Sequence, residues 1–298
     1  MLYSTYKTGW IPDLPDKRDY TPQHPAIAPL LQKLRAEKTG RKLPPSVDLT
    51  QWFPPVTDQT VLDACTAHTA AALLGYFENK AFGKNLAPSR LFIYQAERFL
   101  LNQTGDRGAF LRTAMEVLRL FGAPPEEYWP YDASKLDVDP SAFCFDLASN
   151  YKAASYYRYD PPGHSRAALL VRVRTNLAAQ LPSMFGTAIF SSFTQATNGE
   201  IPYPGQGEMP VGLHALVAVG YDDSKKITNQ FYPGVETVGA LRIRNSWGPQ
   251  WGDGGYGWLP YEYLLQGLAT DWWSLIKANY VDVGQFGDTA GATPASGE

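Results

Sequence analysis

Cysteine is almost missing from this chain: two among 298 residues, Cys65 and Cys144. That excludes the disulfide framework of a small secreted scaffold, and pairing the two would consume the one thiol that stands in a reactive setting. Histidine is equally scarce, with four residues. No run of like charge stands out, and 26 basic residues nearly cancel 29 acidic ones. Neither a nucleic-acid footprint nor a membrane-attracting patch is therefore expected. The strongest apolar run, residues 213 to 219, is far too short to cross a bilayer, and the opening MLYSTYKTGWIPDLPDKRDY has no apolar signal core. Cytoplasm is the default location, with export by another route left open. No internal repeat occurs. The glycines at 252, 254 and 255 lack the Gly-Lys-Ser/Thr of a phosphate loop and read as turn residues. What remains is a 44% hydrophobic, globular chain with enough apolar content for a sizeable core. A monomer acting on peptides, proteins or small molecules is expected, with no cofactor and no metal.

The stretch PPVTDQTVLDACTAHTAAALLGYF, residues 54 to 77, carries the chemistry. After a polar turn holding Asp58 and Gln59, apolar residues recur at helical spacing from Ala67 to Phe77, which puts Cys65 at a helix start. Free backbone N–H groups and the positive end of the helix dipole converge there, a setting that favours a thiolate and offers donors to a negative oxygen. Cys144, between Phe143 and Phe145, reads as an inert core thiol.

Four regions follow from the patterning. Residues 1–45 are rich in Pro and charge, with a short helical pattern around Leu30, Leu31 and Leu34, and form either a strap on the main domain or a pro-segment covering a cleft. Glu37 to Lys42 is a polar stretch open to cleavage ahead of the break at Pro44. Residues 46–150 read as helical, with helices expected over 89–101 and 109–121 and a stop at Gly122. Residues 151–283 read as β-rich, with strands over 156–159, 187–193, 214–221 and 240–245 and one helix near 165–180. Residues 284–298 read as a flexible tail. The cluster Tyr128, Trp129 and Tyr131 is expected to pack between layers.

A thiol nucleophile needs a base and a group to orient it. His214 heads the strand-like run HALVAVGY, which would hold its ring rigidly, whereas His68 is carried along the Cys65 helix and reads as structural. Asn245 ends the next strand in LRIRNSWGPQWGDGGYGWL; its amide oxygen can fix one ring nitrogen while the other faces the thiol, with Trp247 keeping water away.

Gln59 six residues before Cys65, the HALVAVGYDD run and the NSWGPQWGDGGYGW run together resemble the papain-like cysteine peptidases. The gap from Cys65 to His214 fits the spacing of roughly 130–150 residues in that family. The resemblance covers residues 44–280, and GWIPDLPDKRDY looks like the leader of bacterial members. It implies an α+β fold of two lobes, one helical and one β-barrel-like, with a cleft between them. It also implies that Gln59 and the Cys65 N–H form an oxyanion hole, that Cys65 and His214 form an ion pair, and that Asn245 orients the ring. Asp63, Ala64 and Trp247 would line the substrate cleft. The implied activity is peptide-bond hydrolysis, as an endopeptidase or exopeptidase, through an acyl-enzyme on Cys65. Residues 1–43 would inhibit the enzyme in a zymogen. A papain-fold binding protein, or an acyl transferase or deamidase with the same triad, remains open. Thr60, Asp63, Ala64 and Thr66 depart from the family's glycines, serine and tryptophan. A carboxylate at Asp63 would oppose the thiolate and favour Lys or Arg in substrates, unless it turns away to cap the helix.

Overall fold

Small side chains set the centre of the molecule. The computed structural model describes residues 6–33, 42–83, 86–153, 155–194 and 196–276. Leu34, residues 37 to 41 of the polar stretch and the tail from 284 lie outside them. In chain order, α1 is Ala28–Lys33, a short strand β1 is Ser46–Asp48, and α2 is Cys65–Phe82. Next come α3 (Arg90–Leu100), α4 (Leu111–Leu120) and α5 (Ala142–Ala148). The second half holds β2 (Ser155–Arg158), α6 (Arg166–Ala178), β3 (Ser183–Phe190), α7 (Ser191–Thr194) and β4 (Pro210–Thr228). It ends with β5 (Glu236–Arg244), β6 (Tyr256–Pro260), α8 (Tyr261–Leu265) and β7 (Ala269–Ile276).

Helix α2 is buried on every side from Cys65 to Asn79, packed between α3 and α4 and strands β3 and β4. Its alanines and Gly75 allow that approach: a Cβ on Gly75 would meet the Pro54 ring at 2.9 Å. Gly83, at φ 63°, ends it by returning its N–H to Asn79 O. Helices α3 and α6 start on the hydroxyls of Ser89 and Ser165, which accept from Phe92 N and Ala168 N.

The sheet is antiparallel in the order β2-β7-β3-β4-β5-β6, with β1 on β4. Strand β1, near the start of the mainly helical stretch, thus belongs to the sheet. The end strands β2 and β6 are not neighbours, so the β-rich lobe is an open sheet rather than a closed barrel. Long β4 pairs first with β3, setting His214 opposite Thr187, and then with β5, whose last residue precedes Asn245. Arg244 links the layers by donating to Pro54 O (2.7 Å) and Pro55 O (2.6 Å) ahead of α2.

Residues 6 to 33 run across both layers. Arg112 of α4 holds this segment through the Asp13 and Asp19 carboxylates and the Leu14 carbonyl, and Arg158 N donates to Tyr20 O at 2.7 Å.

Candidate active site

Cys65 is the first residue of α2, and the N-cap is Ala64, with no side chain capping the helix. The capping role open to Asp63 is therefore not taken up; its carboxylate turns to the covering segment, with Lys7 Nζ at 3.8 Å. Its backbone N–H is held by both oxygens of Asp106 (2.9 and 3.1 Å). Burial, then the charge of Asp106, raise the Asp63 pKa. Behind the thiol, Thr66 Oγ1 donates to the fully buried Glu97 carboxyl at 2.9 Å. Strand β4 runs alongside α2, and the backbone amides of Ala215 and Thr66 lower the Cys65 pKa in part.

His214 is fully buried. Its Nε2 lies 2.8 Å from Asn245 Oδ1, which also accepts the Ser246 N–H at 2.8 Å. An oxygen already accepting an amide proton can only accept again, so Nε2 carries the ring proton and Nδ1 holds the lone pair. Nδ1 has no partner. The ring stacks on Trp247 at 4.6 Å and 24°. By contrast His68, buried further along α2, is engaged through Nδ1 with Thr57 Oγ1 at 2.9 Å and meets Tyr131 edge-on.

Gln59 is locked in place from three directions. Ser246 Oγ donates to its Oε1 (2.7 Å), its own N–H reaches Ser246 O (2.9 Å), and Tyr131 OH donates to its carbonyl (2.9 Å). Its Nε2 donates to Leu62 O and to Thr8 O, both at 2.9 Å. Ser246 thus positions the side-chain amide and Tyr131 the backbone of Gln59, roles the sequence did not reveal; Tyr131 read as packing and Ser246 as part of a run.

Thr8 belongs to the segment that closes the cleft. Tyr6 stacks on the face of Trp247 (4.4 Å, 12°), and Trp247 Nε1 donates to Lys7 O at 2.8 Å. Farther on, Ala109 N donates to Gly9 O and Ile11 N to Ala109 O, both at 2.9 Å. Under this cover Cys65 and His214 have no exposed surface. Burial pushes the thiol far up, with Glu97 and Asp63 adding to it, and pushes the imidazole down to about 4 against the pull of Asn245. Both directions favour the neutral thiol and the neutral imidazole over the ion pair that the resemblance implies, because burial outweighs the amide hydrogen bonds to the sulfur and the Asn245 bond to the ring. Cys144 is a buried free thiol on α5, near Ser141 Oγ and Tyr128 O.

A family model described as papain family cysteine protease matches residues 43–267. An uncharacterised peptidase C1-like protein of Acanthamoeba polyphaga mimivirus is 32% identical over 223 residues, 72% of this chain and 68% of that one. The crystal structure of xylellain, a cysteine protease from Xylella fastidiosa, superposes with a TM-score of 0.70 at 31% identity, covering 93% of this chain and 98% of that one. Digestive procathepsin L 3 of Tenebrio molitor larval midgut shares the fold, with a TM-score of 0.64 at 16% identity over 92% of this chain and 76% of that one.

Proposed function

The chain belongs to the papain family of cysteine proteases, and on that footing we propose that it cleaves peptide bonds through an acyl-enzyme on Cys65, held off by residues 6 to 11 until they leave the cleft. One observation carries this reading: a peptide carbonyl, Thr8 O, already rests 2.9 Å from Gln59 Nε2. That donor is fixed by Ser246 and Tyr131, so it meets a substrate carbonyl without reorganising.

Once the segment departs, water reaches the site and the desolvation that keeps thiol and imidazole neutral falls away. His214 Nδ1 takes the Cys65 proton, and the sulfur attacks the scissile carbonyl carbon. The developing oxyanion is received by Gln59 Nε2 and the Cys65 N–H, and each such donor contributes roughly 3 to 4 kcal/mol to transition-state stabilisation. The imidazolium, held by Asn245 Oδ1, passes its proton to the leaving amine. The ring then draws a proton from water, which attacks the thioester and frees Cys65. Trp247 covers the His214–Asn245 bond from solvent. Lys7 against Asp63 supports a cleft that accepts Lys or Arg beside the scissile bond.

Mass spectrometry of a peptide library incubated with the wild type and with Cys65→Ala tests the proposal. Cleavage by the wild type alone is expected. Products retaining an added amine in place of water mark acyl transfer instead, and unchanged peptides after the covering segment has been loosened mark a binding protein.

A further inference from the structure

Two backbone stretches that meet the covering segment are joined to each other by one phenol and one carboxylate. Tyr94 is fully buried on α3, and its hydroxyl donates to Asp106 Oδ1 at 2.6 Å while accepting from Gly108 N at 3.0 Å. Asp106 in turn takes the Asp63 N–H on both oxygens, two residues ahead of Cys65. Gly108 directly precedes Ala109, whose N–H and C=O hold the covering segment. A continuous hydrogen-bonded line therefore runs from the loop of the nucleophile to the backbone edge on which an extended peptide can pair.

The gap spanned by that line is narrow. Gly9 lies in it at φ 122°, where an added Cβ would stand 2.0 Å from Asp63 O; an added Cβ on Gly108, at φ 70°, would stand 2.1 Å from Gly9 O. Between Asp63 and Gly108 there is room at that point for bare backbone alone, so a small shift of either changes how a chain is received. Residues 101–108 have little means of holding this spacing themselves. They form no helix or strand, and Asn102, Gly105 and Gly108 all stand in the left-handed region. The far end of the loop is tied separately, by Asn102 N on Phe99 O, Gln103 N on Arg98 O and Gly105 N on Asp137 Oδ1. Those bonds suffice for anchorage; Tyr94 and Asp106 add a link between the residues that flank Gly9.

Resting on the peptidase reading above, we propose that Tyr94 and Asp106 are positioning residues for the reaction: together they fix the distance between the Cys65 loop and the Gly108–Ala109 edge, so that a peptide seated on that edge presents its carbonyl to the sulfur. Burial, then the bond to Asp106, raise the Tyr94 pKa, so the phenol stays a donor at neutral pH. The carboxylate can accept from the phenol and the Asp63 amide at once. A misplacement of about 1 Å arising away from the reacting atoms can cost roughly a hundred-fold in rate.

The test compares two alkylating probes on Cys65. Iodoacetamide needs only an accessible thiol, whereas acetyl-Ala-Ala-Ala chloromethyl ketone must also lie along the Gly108–Ala109 edge before the sulfur displaces chloride. Both are applied to the full-length chain with Tyr6→Ala and Trp10→Ala, which removes the ring stacked on Trp247 and the buried indole that seat the covering segment. Adding Tyr94→Phe, which deletes one oxygen, should slow the ketone by about ten-fold or more and leave the iodoacetamide rate nearly unchanged. Asp106→Ala should do the same, and Asp106→Asn, which keeps an acceptor for Asp63 N and Tyr94, should restore most of the rate. Equal changes in both probes, no slowing, no labelling by the ketone, or an asparagine no better than alanine overturns the proposal. Should the uncovered chain fail to fold, Tyr94→Phe is placed in the otherwise wild-type chain. A looser edge holds Gly9 less well, so iodoacetamide should then reach Cys65 several-fold faster, and an unchanged rate overturns the proposal. Cleavage of peptides without the split between probes removes the positioning role and leaves the peptidase; the split without cleavage of any peptide does the reverse.

Discussion

A sulfur that is to attack a carbonyl must become an anion, yet burial holds Cys65 as a thiol and His214 as a neutral ring. Reactivity of Cys65 therefore reports directly on the cover. With iodoacetamide the full-length wild type should react slowly below pH 9, while a chain with Tyr6→Ala and Trp10→Ala should react at least ten-fold faster at pH 7, read by mass spectrometry of the Cys65 peptide. Equal rates at every pH would show that the segment does not set the state of the thiol. His214 supplies a second check through linkage. Its pKa is about 4 in the folded chain against an ordinary 6.5, so the unfolded chain binds the proton first as pH falls. Stability from this group is full above 6.5 and lost on the way down to about 4. Urea titrations should show the wild type losing up to about 3 kcal/mol relative to His214→Gln across that window, because a tenfold difference in proton affinity between the folded and unfolded chains is worth about 1.4 kcal/mol.

Among the elements, β5 has two tasks: it ends next to Asn245, and its last side chain, Arg244, grips the loop ahead of α2. Arg244→Ala leaves the Pro54 and Pro55 carbonyls without donors. A loss of roughly 2 to 5 kcal/mol in denaturant titration is expected, together with a lower kcat as Gln59 and Asn245 drift apart. Full stability with lower kcat would separate the two tasks. Local signals made α3, α4 and α6 legible in the sequence, since each has a 3.6-residue apolar pattern and a serine or glycine at one end; the observed bounds fall within a few residues of the expected ones. Strand β4 was legible only in its buried middle, because the exposed residues that extend it to Pro210 and Thr228 carry no apolar pattern. Strands β6 and β7 were not foreseen: β6 is five residues beside a glycine turn, and β7 is buried on both faces with Asp271 and Ser274 among its apolar residues, so neither shows an apolar–polar alternation. Gln59, Cys65, His214 and Asn245 were picked out by residue type and order. Tyr131 and Ser246 were not, because their contacts to Gln59 join distant parts of the chain through backbone groups and single hydrogen bonds that leave no periodic trace.

At the scale of the molecule, the covering segment is anchored away from the cleft by Arg112, which binds Asp13, Asp19 and the Leu14 carbonyl. Arg112→Ala should free the segment without touching the proposed catalytic groups, and full-length protein should then hydrolyse peptides several-fold faster than the wild type. If activity and melting temperature fall together instead, residues 6 to 33 are a strap required by the fold. Because Tyr6 to Ile11 belong to the same polypeptide as Cys65, the proposed inhibitor is present at an effective concentration fixed by chain geometry, in the millimolar range typical of short tethers. Dilution cannot relieve it. Activation by loosening is then a first-order event with a rate independent of protein concentration. Once the chain is cut after the segment, the tether is gone, the freed peptide obeys ordinary mass action, and dilution alone completes the release.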